Sequence, residues 1–141
     1  SIRYFNVYGP RQTTEKDGPY ATVIGIFLGQ AKNGHPMTVV PDGTQKRDFT
    51  HVYDTARANL LAMESPKVGR GEIINIGTGT NYTVLKVAEM IGGPWEFAEP
   101  RQGETKETLA DNTKAKELLG WEPKILFEEG MAELKKLHGL V

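Results

Sequence analysis

Cysteine is absent from the 141 residues, so neither a disulfide framework nor a thiolate metal site is available. Histidine is scarce: His35, His51 and His138 are too scattered to suggest zinc. Net charge is nearly lacking, because 17 basic residues face 18 acidic ones and leave −1. That balance gives no electrostatic footprint for nucleic acid or for an anionic membrane, so any anion must be met by a local arrangement. No apolar run is long enough to span a bilayer, and Ser1-Ile-Arg lacks the charged start and apolar centre of a signal peptide. With no repeat, low-complexity tract or linker, the expectation is a single domain over residues 1–141 in a reducing, cytoplasmic compartment.

What is present is a mixture of short β-branched runs and amphipathic stretches. Ile2 to Val7 mixes β-branched and aromatic residues and ends at Gly9-Pro10, which predicts a strand with no obvious partner nearby. After a polar stretch from Gln12 to Pro19, Ala21, Ile24, Phe27, Leu28 and Ala31 fall at helical spacing and Asn33-Gly34 closes the segment. Met37 to Val40 and Arg47 to Val52 read as strands joined by a tight turn at Pro41 to Thr44, together a hairpin. Tyr53 to Glu64 carries an apolar stripe and reads as a helix. Glu72 to Ile76 is a strand, and Thr83 can cap a helix through Met90. Trp95 to Glu99 allows another strand, and Arg101 to Thr108 reads as an exposed loop. Thr113 predicts an N-cap for Lys114 to Leu119, and a last helix covers Phe127 to His138.

Four segments can carry chemistry. In Arg3-Tyr-Phe-Asn-Val-Tyr-Gly-Pro-Arg11, alternation puts Asn6 opposite Phe5 and near the strand end, the usual ligand side of α/β sheets. Its amide can donate to a phosphate oxygen or merely satisfy loop backbone. The helix start at Ala21, Thr22 and Val23 presents unpaired N–H groups at the positive end of a macrodipole, either a phosphate seat or a solvated cap. Arg47 begins a strand, and its planar fork matches a phosphate; a surface pairing with Asp48 or Asp54 is the alternative. Asp54 suits a helix cap better than a catalyst. Pro100 to Asp111 gathers charge that is solvated loop unless something organises it.

Taken in order, these strings resemble the C-terminal, substrate-binding part of NAD-dependent sugar-nucleotide epimerases and dehydratases, the extended short-chain dehydrogenase family. The stretch from Thr38 to Asp54 resembles that family's Gly-Asp-Gly-x-x-x-Arg-Asp-Phe string, and Ala110 to Lys124 resembles its closing segment. The resemblance implies that Tyr4 and Phe5 contact the nicotinamide end of NAD and that Asn6, Thr22 and Val23 lie at the sugar diphosphate. It also implies that Arg47 and Arg101 grip phosphate, that Glu104 bonds the nucleotide ribose, and that the backbone of Val39 and Val40 borders the nucleobase. Relatives often carry an aromatic residue at Val40, Gly at Pro41 and Asp at Glu104, and this chain departs from each. The implied fold is a small mixed α/β lobe of about four helices, short strands and a hairpin, without the N-terminal Rossmann sheet.

Two motifs are decoys. Gly77-Thr-Gly-Thr-Asn-Tyr82 opens like a dinucleotide fingerprint, yet Tyr82 stands where the third glycine belongs. Tyr82-Thr-Val-Leu-Lys86 spells the Tyr-x-x-x-Lys of short-chain dehydrogenases but lies downstream of the Arg-Tyr-Phe-Asn motif, whereas the family's dyad lies upstream. No residue is therefore assigned to catalysis, and NAD is expected in a parent enzyme rather than on this chain. The parent would be like a UDP-glucose 4-epimerase, with a Rossmann domain and a nucleotide sugar as the partners of this piece. Self-association through the Ile2 to Val7 edge and a non-catalytic nucleotide-sugar or protein-binding module are the alternatives.

Overall fold

The computed structural model describes residues 1–18 and 21–140; of the sequence expectations, only Pro19 at the end of the polar stretch lies outside them. Thirteen elements follow one another: β1 (Ile2–Tyr4), β2 (Val7–Tyr8), α1 (Val23–Lys32), β3 (Met37–Val39), β4 (Lys46–Asp48), β5 (Thr50–His51), α2 (Val52–Glu64), β6 (Ile74–Ile76), β7 (Asn81–Thr83), α3 (Val84–Ile91), β8 (Trp95–Phe97), α4 (Thr113–Leu119) and α5 (Phe127–His138). A short 3-10 turn at Glu15–Asp17 precedes α1. The class is the expected mixed α/β, with five α-helices among the described residues rather than about four.

The strands pair across long sequence distances. β1 runs parallel to β6 with Ile2 opposite Ile74, and β2 runs parallel to β5. β3 runs parallel to β8, and β4 runs antiparallel to β7 with Arg47 opposite Tyr82. The expected hairpin is therefore absent: β3 and β4 are consecutive but have different partners. The turn between them forms, with Gly43 N–H donating to the Val40 carbonyl at 3.0 Å, but Gln45 then turns back so that its amide nitrogen also donates to that carbonyl. These bonds hold β4 off β3 and leave it to β7.

Other boundaries shift for local reasons. The opening strand breaks in two at Asn6, whose φ of 32° is left-handed, and it is not partnerless, since β6 occupies one edge of β1. The Arg47 to Val52 strand splits at Phe49, which is 2 % exposed, and α2 begins at Val52. His51, not Asp54, caps it, accepting from Tyr53 N–H at 3.3 Å. Asp54 instead accepts from the N–H groups of Lys124 and Ile125 at 2.9 and 3.0 Å, tying α2 to the approach of α5. Thr83 caps α3 as expected, accepting from Lys86 N–H at 3.0 Å. At α4 the N-cap is Asn112, and Thr113 is the first helical residue, held by Asp111.

Two apolar clusters result. One joins α1, β3, α3 and α5 through Ile24, Phe27, Met37, Val39, Val87, Met131 and Leu134. The other sets Ala58 of α2 against Ile74 and Ile76 of β6, with Ala115, Leu119 and Trp121. The Trp121 indole N–H reaches the Asp54 carbonyl at 2.9 Å. Segment 101–108, expected as an exposed loop, is exposed along its front but stitched to β4 at its rear: Lys46 N–H donates to the Lys106 carbonyl at 2.8 Å and Thr108 N–H to the Lys46 carbonyl at 3.0 Å.

Candidate functional site

Three elements meet at one cavity of about 320 Å³. Its first wall is the start of α1. Ala21, Thr22 and Val23 line it, the first turn of α1 holds no acidic residue, and Gln12 binds the Thr22 hydroxyl at 2.9 Å rather than leaving it to cap the helix. Thr22 and Val23 thus stand at the positive end of the macrodipole, whereas Ala21 N–H, expected to be unpaired, donates to the Gly18 carbonyl at 3.4 Å. Its second wall is β4 with Gln45 and Arg47, and its third is the loop after β8, bringing Arg101 and Glu104. Ile26, Phe27, Val84 and Ala98 make an apolar floor.

The cations differ in how they are held. The Arg47 side chain is 13 % exposed and ion-paired with Glu104, and its Nη1 donates to the Lys46 carbonyl at 2.8 Å. Neither Asp48 nor Asp54 pairs with it: Glu104, 57 residues away, does. Arg101 is exposed and has no partner among the described residues. Two guanidinium groups and a helix N-terminus around an apolar floor can hold a doubly charged anion attached to a flat apolar group.

Asn6 lines the same cavity, yet its amide N–H groups are engaged, one on the Asp48 carbonyl at 2.8 Å and one on the Thr108 hydroxyl at 3.2 Å. Donating to a ligand would mean giving up one of these bonds. Val40 lines the cavity, but the Val39 side chain is fully buried in the core and its carbonyl accepts from Ala98 N–H at 2.8 Å. Thr38, one residue earlier, faces the cavity in its place, as alternation along β3 requires. Tyr4 and Phe5 are not among the lining residues: the Tyr4 hydroxyl donates to Asn59 at 2.8 Å, and Phe5 N–H donates to the Ile76 carbonyl at 3.1 Å.

Sequence reasoning passed over Asp48 and Gln45. Asp48 is fully buried, and its carboxylate accepts from Thr78 N–H and hydroxyl, Gly79 N–H and Ala110 N–H at 2.7–3.1 Å. The glycine loop that imitates a dinucleotide fingerprint is therefore an anion cradle already filled by the chain's own carboxylate. A Cβ at Gly77 would overlap Ala110, which accounts for the glycine without any cofactor. Nor does Tyr82 form a catalytic pair: its hydroxyl donates to Glu128 at 3.1 Å, its ring packs on Phe127 with centroids 4.4 Å apart, and Lys86 pairs with Glu89. Burial and then Glu128 push the Tyr82 pKa up, away from what a base needs.

No group of His, Asp and Glu among the described residues could hold a metal ion, and no helix among them is long and apolar enough to cross a membrane. Fold and cavity together define an α/β lobe in which two arginines stand beside an apolar recess. Comparison with known proteins gives that class its family. A family model described as the NAD dependent epimerase/dehydratase family matches residues 1–77. A UDP-N-acetyl-alpha-D-glucosaminuronate decarboxylase of Bacillus cytotoxicus is 38% identical over 144 residues, covering 94% of this chain and 43% of the relative. A crystal structure of UDP-glucose 4-epimerase with UDP-glucose from Thermotoga maritima superposes with a TM-score of 0.82 at 41% identity, over 96% of this chain and 44% of that one. A UDP-glucuronic acid 4-epimerase from Bacillus cereus, in complex with UDP-glucuronic acid and NAD, superposes at 0.83 with 34% identity, over 96% and 45%. The chain belongs to the NAD-dependent epimerase/dehydratase family, and it spans less than half the length of these relatives.

Proposed function

We propose that the cavity between α1, β4 and the loop after β8 binds the nucleoside-diphosphate part of a nucleotide sugar, as the C-terminal portion of a UDP-glucose 4-epimerase-like enzyme of the cytoplasm. The observation that carries this reading is the convergence of Arg47, Arg101 and the acid-free start of α1 on one apolar-floored space. A diphosphate there meets two guanidinium groups and backbone amides. The floor of Ile26, Phe27, Val84 and Ala98 suits a base held by contact rather than by stacking, in keeping with Val40 in place of an aromatic residue. Thr22, Val23, Asn6 and Glu104 surround the diphosphate and ribose in this reading, and Val39 shapes the base wall only through its backbone.

NAD is bound in neighbouring structures, among them those of the Bacillus cereus UDP-glucuronic acid 4-epimerase. The glycine loop of this chain does not fit its pyrophosphate, because Asp48 already occupies the loop's N–H groups. Tyr4 and Phe5, at the β1 end beyond Asn6, would border a cofactor held by the remainder of such an enzyme, and no step of hydride transfer is assigned to residues here.

Calorimetric titration of the 141-residue chain with UDP-glucose tests the reading. Submillimolar binding is expected, weakened at least tenfold in Arg47→Ala by loss of a charge-assisted bidentate contact. Undiminished binding in that variant, or none in the wild type, would refute it.

A further inference from the structure

Asn6 lines the cavity from the break in the opening strand, and both its backbone and its side chain are held. Its φ of 32° is left-handed, a conformation that asparagine tolerates, and its carbonyl accepts from Thr50 N–H at 3.4 Å. The side-chain nitrogen donates to the Asp48 carbonyl at 2.8 Å and to the Thr108 hydroxyl at 3.2 Å. A backbone carbonyl can only accept, so the nitrogen and not the oxygen must face Asp48. That bond alone leaves the planar amide free to turn about its Cβ–Cγ axis; the second, to Thr108, fixes the plane. Oδ1 makes no hydrogen bond among the described residues, nor is it one of their buried unpaired oxygens, which are Tyr8 Oη and Gln45 Oε1. With its nitrogen turned to the chain, Asn6 therefore brings an open acceptor to the cavity.

Thr108 is placed to hold that plane. It lies outside the cavity lining, 102 residues from Asn6, and is itself tied on three sides. Its N–H donates to the Lys46 carbonyl at 3.0 Å, its carbonyl accepts from Asn81 Nδ2 at 3.3 Å, and its hydroxyl accepts from Asp48 N–H at 3.3 Å as well as from Asn6. We infer that Thr108 is a positioning residue: by holding the Asn6 amide with its oxygen outward, it makes this corner of the cavity take a ligand hydroxyl and refuse an ionised phosphate oxygen, which has no proton to give. The inference rests on the nucleotide-sugar reading above and adds to it a residue that the ligand need not touch.

Thr108→Val and Thr108→Ser test it, each titrated with UDP-glucose, UDP and inorganic pyrophosphate, the last having no sugar hydroxyl. Thr108→Val is expected to weaken UDP-glucose about fivefold, as loss of one oriented neutral hydrogen bond does, and to leave pyrophosphate at least as tight as in wild type. Thr108→Ser, which keeps the hydroxyl, is expected to match wild type. UDP follows UDP-glucose if the hydroxyl is the ribose's, and follows pyrophosphate if it is the hexose's. Equal weakening of UDP-glucose and pyrophosphate in Thr108→Val would mean that Thr108 merely shapes the loop carrying Arg101 and Glu104, and overturns the inference. So does an unchanged UDP-glucose affinity, or a serine that fails to rescue. Should Thr108→Val not fold, or pyrophosphate bind too weakly to titrate, the wild-type resonances of Asn6 decide: UDP-glucose shifts its side-chain carbonyl carbon and leaves the Nδ2 protons in place, or the inference fails. A wild type that binds none of the three ligands refutes the site reading and the inference with it, whereas UDP-glucose binding that depends on Arg47 and not on Thr108 refutes the inference alone.

Discussion

Asp48 and Arg47 are neighbours in the chain with opposite fates. Arg47 faces the cavity, while Asp48 turns inward to four donors from Thr78, Gly79 and Ala110. Replacing Asp48 by Ala leaves those donors buried and unpaired, so a loss of at least about 3 kcal/mol in urea denaturation is expected. Asn at this position is expected to cost nearly as much, because its amide nitrogen would face N–H groups. Of the candidate site residues, Thr22, Val23, Val40, Arg47, Arg101 and Glu104 were legible because each sits in a patterned string and the cavity gathers them. Gln45 and Asp48 were not. An uncharged residue in a polar turn carries no periodicity, and the burial of both depends on segments 30 to 60 residues downstream. Val39 was named for its backbone, and its side chain lies on the core face of β3, opposite the face that Thr38 and Val40 share.

At the scale of elements, α1 is set in place by contact with the segment before it. Gly25 lies on the buried side of α1, and a Cβ there would overlap the Thr13 carbonyl oxygen. In an exposed helix Gly→Ala is a gain of up to about 1 kcal/mol. Here Gly25→Ala is expected to destabilise by about 1–3 kcal/mol and to push the amide ends of the first turn out of line with Arg47. Denaturation together with the UDP affinity of the same variant measures both effects. Helices were legible nearly to their ends, since 3.6-residue spacing and caps such as Thr83 are local signals. Strand partners were not. Alternation marks Met37–Val39 as a strand but is silent about a partner at Trp95–Phe97, and two strands joined by a good turn invite a hairpin that the Gln45 to Val40 bond prevents.

Across the whole molecule, two apolar clusters flank the β4 segment, and charge enters the stability balance at their margins. Burial, and next the nearby Lys32, hold the His138 imidazole below its usual pKa of 6.5. The native state then binds fewer protons than the unfolded one, so the contribution of His138 is fully present above pH 6.5 and declines as pH falls below it. His138→Gln is expected to flatten the slope of melting temperature against pH between 7 and 5.5; an unchanged slope would assign that dependence to other groups. The cage around Asp48 has one further consequence, for biosynthesis. Its donors at residues 78, 79 and 110 emerge from a ribosome long after Asp48 does. Until Ala110 is free to fold, that carboxylate stays better solvated by water than by protein. The strand bearing Arg47 is therefore among the last parts of the lobe to close, and chains released before residue 110 should remain open to proteases at β4 while α1 is already formed.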